Sequence, residues 1–145
     1  GACALILRDG KTGKIKAVDF IENTFVTVGK NSIAAALSGT ETNNQGIITY
    51  CAVGTSVLAA TLADTGLTTE IFRKQISVRS VSGKVATFQT FFTISEANGT
   101  LREAGLFGDD ASDTANSGTL FSKLAINRTK SASDTLTMSW DITIG

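Results

Sequence analysis

Apolar and polar residues alternate most cleanly near the end of the chain. In DTLTMSWDITI, Leu136, Met138, Trp140, Ile142 and Ile144 alternate with Thr135, Thr137, Ser139, Asp141 and Thr143. Period two over that length predicts a half-buried strand with one face in a core. FRKQISVRSVSGKVATFQTFFTIS predicts two more strands, turning near Ser82-Gly83. Phe72, Ile76 and Val78 share one side of the first; Phe88, Phe92 and Ile94 share one side of the second. GIITYCAVG is a short, mostly apolar strand, and SGTLFSKLAIN a later one. CALILR and KIKAVDFI flank the turn-rich DGKTG and predict an N-terminal hairpin. Helical signals are confined to two places. KNSIAAALSG has a polar start at Asn31 or Ser32, an alanine-rich turn and Gly39 as a stop. LADTGLTTEIFR predicts one helical turn ahead of a strand. Residues 40–45 and 109–118 are polar loops. The elements add up to an all-β, single-domain antiparallel β-sandwich with one short helix. Residues 1–22 form an N-terminal strand or hairpin segment, and residues 23–145 the sandwich domain.

Within that series EANGTLREAGLF, residues 96–107, carries a strong hairpin signal. Asn-Gly suits a type I′ turn because both central residues need positive φ. A turn at Asn98-Gly99 pairs Glu96 with Leu101 and Ile94 with Glu103. The two glutamates then become diagonal neighbours on one face, roughly 7–8 Å apart, within the spacing that paired carboxylates use on sugars. The competing assignment is structural. Glu103 falls on the face that carries Phe88 and Phe92, where a carboxylate needs a partner. Arg73, just after Glu70, is the expected partner in a buried ion pair, with Arg102 or Arg79 as fallbacks. A sugar cleft calls for exposed aromatics, yet the chain has one Trp and one Tyr, and Trp140 falls in the core alternation. The structural assignment is therefore the expected one, and no residue is assigned a catalytic role.

Composition narrows the chemistry further. The 145 residues suffice for one core. Thirteen basic and thirteen acidic residues cancel, and no nucleic-acid or anionic-membrane footprint results. No apolar run approaches a membrane span, and no signal-peptide pattern is present. The sequence opens at Gly1, as expected of methionine removal before a small residue or of a deeper maturation cut. Histidine is absent, which removes the commonest general base and metal ligand. Asp109, Asp110 and Asp113 crowd one loop, but their spacing misses that of a dedicated calcium loop, and a solvated loop is expected. No cofactor and no metal is called for. Arg73, Lys74, Arg79 and Lys84 gather basic charge around one hairpin and predict a solvated face, the alternative being contact with an acidic partner subunit or a capsid exterior.

Taken in order, ITYCAVGTSVLAATLADTGLTTEIFR, FFTISEANGTLREAGLF, SGTLFSKLAI and LTMSWDITI resemble a recurrent group of small all-β virion structural proteins of tailed bacteriophages, of the tail-associated type. NTFVTVGKNSIAAALSG fits the same series, so the resemblance spans roughly residues 23–144. It implies a non-enzymatic structural protein, made in the bacterial host cytoplasm and incorporated in the virion. A tail, tail-tip or fibre-associated component acting by multicopy self-assembly is expected. The alternatives are a capsid decoration or head-fibre protein and, from another class, a carbohydrate-binding or depolymerase module. Implied partners are copies of the chain (a homo-oligomer) and other virion proteins, with no nucleic acid and no membrane. A host surface glycan is a further partner compatible with the resemblance, one that no residue indicates.

The N-terminal strand bears on assembly. ACALILR is apolar on both faces, with Cys3, Leu5 and Leu7 on one and Ala2, Ala4 and Ile6 on the other. Either it lies inside its own sandwich, or it pairs with a neighbouring subunit's sheet edge. In the second arrangement Cys3 is a candidate intersubunit crosslink, and deletion of residues 1–8 leaves the fold while abolishing oligomers. In a reducing cytoplasm Cys3 and Cys51 are expected as free thiols, buried or partly buried.

Overall fold

In the computed structural model, which describes residues 1–40 and 45–145, the cleanly alternating segment becomes the middle strand of a sheet. This strand is β10 (Asp134–Thr143). It pairs antiparallel with β1 (Ala2–Asp9) on one side and β7 (Val85–Phe92) on the other. β2 (Ile15–Glu22) and β6 (Val78–Ser82) form the edges, giving the order β2-β1-β10-β7-β6. The second sheet runs β3-β9-β8-β4-β5. Its strands are β3 (Thr24–Phe25), β4 (Ile48–Gly54), β5 (Glu70–Gln75), β8 (Gly99–Gly108) and β9 (Thr119–Lys130). Both sheets are antiparallel throughout, so the molecule is the expected all-β sandwich.

The core between the sheets follows from the alternation. Leu136, Met138, Trp140 and Ile142 point inward from β10 and meet Cys51, Val53, Leu101, Leu106, Phe121 and Leu124 from the second sheet. Ile144 lies past the end of the strand and is exposed. A smaller apolar cluster of Val26, Tyr50, Ala52, Leu67, Phe107 and Leu120 covers the other face of the second sheet. The one helix among the described residues, α1 (Thr27–Ser38), packs on β9. It starts a turn earlier than its polar residues suggest, with Val26 at the N-cap and no side-chain cap. Ser32 is buried instead of capping, and its hydroxyl donates to Asp109 at 2.8 Å. Gly39 ends the helix in the left-handed region at φ 72°, as expected. No helical turn forms over residues 62–73; at its start the Thr61 amide and hydroxyl donate to Asp64 in a simple turn.

Two sequence expectations fail where the chain changes sheets. The run beginning at Phe72 is not one strand. Ile76 N–H donates to Thr49 O in the second sheet, while the next amide, Ser77, donates to Gln89 O in the first. β5 and β6 thus belong to different layers, and the turn expected near Ser82-Gly83 joins β6 to β7 through Gly83-Lys84. Nor is Asn98-Gly99 a hairpin turn. The positive-φ residues are Ala97 and Gly99, not Asn98 and Gly99 as a type I′ turn requires. β7 pairs with β10 while β8 pairs with β9 and β4, so the segment crosses between sheets. Asn98 anchors this crossover: its amide donates to Ile94 O, and its oxygen accepts from the buried Lys130 ammonium at 2.7 Å.

The N-terminal segment is built into the sandwich. β1 bonds β10 over Ala2–Asp9 and β2 on its other side, so neither of its edges is free. Cys3, Leu5 and Leu7 are buried in the core of their own chain. This corrects the intersubunit reading of Cys3, Leu5 and Leu7, because a strand with both ladders filled has no groups left for a neighbour's sheet. It also removes the boundary at residue 22.

The turn end of this hairpin is held by carboxylates. Asp9 accepts amides from Lys11 and Thr12, and these bonds keep its carboxyl below the usual range. Opposite it, Asp134 is brought low by the Lys16 ammonium at 2.6 Å, then by the Ser131 amide. A carboxyl with a lowered folded pKa contributes stability that is complete above its unfolded value, about 3.9, and is lost as pH falls through the folded one. Thermal unfolding followed by circular dichroism should therefore give a lower midpoint at about pH 2.5 than at about pH 6. An unchanged midpoint would contradict this account of the hairpin end.

Candidate functional site

The chemistry-bearing residues gather on the outward face of the second sheet, beneath residues 55–69 and 109–118. Arg73 stands at the centre. β5 is an edge strand, and Arg73 points to the side of the sheet that these segments roof over. Its Nε and one terminal nitrogen donate to the two Glu70 oxygens at 2.7 and 2.8 Å. The other terminal nitrogen donates to Ser112 O, Ser117 O and Ser117 Oγ. The guanidinium lies 4.4 Å from the Phe107 ring centroid and 5.7 Å from that of Tyr50. Both members of the ion pair are buried. A planar cation stacked on a ring and bidentate to a carboxylate is the geometry that arginine suits and lysine does not. Here it ties the loop over residues 109–118 to the sheet.

The expected Arg73–Glu103 pair is therefore corrected. Both residues are buried, but Arg73 binds Glu70, three residues away on the same strand, and Glu103 binds something else. Glu103 sits opposite Gly54 on β4 and Ala125 on β9. One of its oxygens accepts the Thr69 amide at 3.1 Å, and the other has no hydrogen-bond partner among the described residues. Gly54 is needed at that point: a Cβ there would meet Glu103 Cγ at 2.8 Å. Glu96, the other glutamate of the diagonal pair, is engaged elsewhere, by Lys74 at 2.7 Å and by the Thr93 amide at 2.9 Å. With Glu96 in the crossover after β7 and Glu103 laddered between β4 and β9, the two carboxylates are not diagonal neighbours on one hairpin.

The remaining candidates resolve in the same way. Asp109 accepts from the Ser32 hydroxyl and the Gly46 amide, and Asp113 accepts from the Tyr50 hydroxyl. Asp109 and Asp113 thus fasten the loop to α1 and β4. Among the described residues no group of three His, Cys, Asp or Glu is placed to hold a metal ion. The basic cluster divides: Arg73 is buried, Lys74 binds Glu96, and Arg79 and Lys84 remain at the surface. Cys3 and Cys51 are both free and buried. Burial pushes both thiols upward, Cys51 to about 12 and Cys3 further. Neither is a thiolate at neutral pH, and Cys3 is not accessible for a crosslink between subunits.

Sequence reasoning missed two buried lysines. Lys123 reaches Asp64 at 3.2 Å and Gly66 O at 3.3 Å, holding residues 64–66 down. Lys130 donates to Thr93 O and Asn98 Oδ1, two neutral oxygens. Burial lowers its pKa, with Asp134 and Glu96 acting against that. Their only sequence signal was a lysine inside an otherwise apolar strand and another at its end.

These groups are consumed in fastening loops to a sheet, and the fold is an all-β sandwich of two five-stranded antiparallel sheets. No protein-family model, curated protein or solved structure matches the chain.

Proposed function

We propose that the chain is a non-enzymatic structural protein of a tailed-phage virion, a tail component that acts by multicopy self-assembly. The tail assignment rests on the ordered sequence motifs over residues 23–144. One structural observation supports the self-assembly: among the described residues both edges of the first sheet are unpaired, and both carry exposed apolar side chains. β2 exposes Ile15, Val18 and Phe20, the last at 80 % of its free surface, and β6 exposes Val78 and Val81. Exposed apolar side chains on an unpaired edge favour pairing with another chain. The buried charged groups support the same reading, since those of the roofed face are spent on loops.

Light scattering and electron microscopy of the purified protein test it. A defined oligomer is expected, unchanged by reductant because both thiols are buried. A monomer at every concentration overturns the self-assembly. An antibody against the chain should label tails of virions from the host that encodes it; labelled capsids would overturn the tail assignment.

A further inference from the structure

We propose that the first sheet continues from one copy of the chain to the next, β6 of one copy pairing in parallel with β2 of its neighbour. The inference rests on the self-assembly reading and specifies its interface. Strand direction comes first. The sheet has five strands, each antiparallel to its neighbours, so its two edge strands run the same way. Copies arranged head to tail in a common orientation therefore bring β6 against the next β2 in parallel. Such a contact is heterologous, and it builds a closed ring or an open filament.

The residues select one register. On β2, Lys16, Val18, Phe20 and Glu22 face outward, while Ala17, Asp19 and Ile21 face the second sheet. The register with β1 establishes this, since Asp19 lies opposite the buried Leu5. On β6, Arg79 and Val81 share the inner side with Phe88 and Ala86, while Val78 and Ser80 are outward. Only pairings offset by an even number keep the two faces in line. When each β2 residue meets the β6 residue sixty positions later in sequence, Val18 meets Val78, Asp19 meets Arg79 and Ile21 meets Val81. A slip of two residues either way sets Arg79 against Ile21 or Ala17 and leaves Asp19 without a cation.

Asp19 decides the matter. An inward charge on an edge strand ordinarily guards that edge against pairing. Asp19 is held by Arg128 of β9, at 2.6 and 2.8 Å, with both oxygens able to accept again. Symmetric pairing of β2 with another β2 either centres on Asp19, placing two Asp19 side chains opposite each other, or centres on Val18, setting Asp19 against Ala17 with no cation. Pairing with β6 brings it Arg79, a surface guanidinium that this chain leaves without a carboxylate among the described residues.

Oxidative crosslinking of the full chain tests the register. The double variant V18C/V78C should give a ladder of covalent multimers at integer multiples of the chain mass. Each single variant should give none, since Cys3 and Cys51 are buried. A covalent dimer from V18C alone would show β2 pairing with itself and overturn the proposal. An oligomer by light scattering in which V18C/V78C forms no ladder would overturn the interface while leaving self-assembly intact. A monomer would overturn both. Independently, R79E should shift the oligomer to monomer and R79K should keep it; an R79E oligomer of unchanged mass would also overturn the register.

Discussion

A chain lacking residues 1–8 is expected not to fold. β1 is an interior strand of the first sheet, paired along its length with β10 and β2. Its removal strips three buried side chains, Cys3, Leu5 and Leu7, from the core. It leaves β2 with no neighbour and opens to water the flank of Met138 and Trp140 that Leu5 and Cys3 adjoin. Full burial of a leucine contributes about 1.5–3 kcal/mol. Two such leucines and the lost ladder bonds consume most of the roughly 5–15 kcal/mol that holds a domain together. Far-UV circular dichroism and amide chemical-shift dispersion should show a largely unfolded chain. A truncated protein with a cooperative thermal transition would mean that β1 is dispensable, as a strand exchanged with a neighbour would be.

The second large effect concerns which glutamate matters. Glu70→Gln should destabilise the protein by about 3–5 kcal/mol, because it leaves a buried guanidinium without its counter-charge. The cation cannot turn to solvent, since Phe107, Tyr50 and the carbonyls of Ser112 and Ser117 enclose it. Glu103→Gln should change stability by less than about 1.5 kcal/mol, because Thr69 keeps its acceptor and no cation depends on Glu103. Urea unfolding of both variants measures the contrast. Equal losses would indicate that Arg73 is shared between the two carboxylates.

Both effects turn on the boundary between local and long-range information. Residues at period two or in turn sequences state what lies within one strand or one tight turn. That is why β10, the hairpin of β1 and β2 around residues 10–14, the β6–β7 turn at Gly83 and the helix stop at Gly39 are legible in the sequence. The two apolar faces of ACALILR likewise say that the strand is covered on both sides.

What the sequence leaves open is the layer each strand joins. Asn98-Gly99 carries the local preference for a hairpin, but a hairpin would keep β7 and β8 in one sheet. The structure instead places β10 beside β7 and β9 beside β8, filling both ladders and closing the core from two sides. Once β8 belongs to the second sheet, Glu103 faces Gly54 and Thr69, and Arg73 finds Glu70 on its own strand. The sequence by itself thus determined the strand class, the inward face of β10 and the local turns, because period and turn preference act over a few residues. The tertiary structure alone decided the ion pairs, the fate of Cys3 and the open edges. Those depend on which strands meet, a choice made by burying the whole apolar surface at once rather than by any one segment.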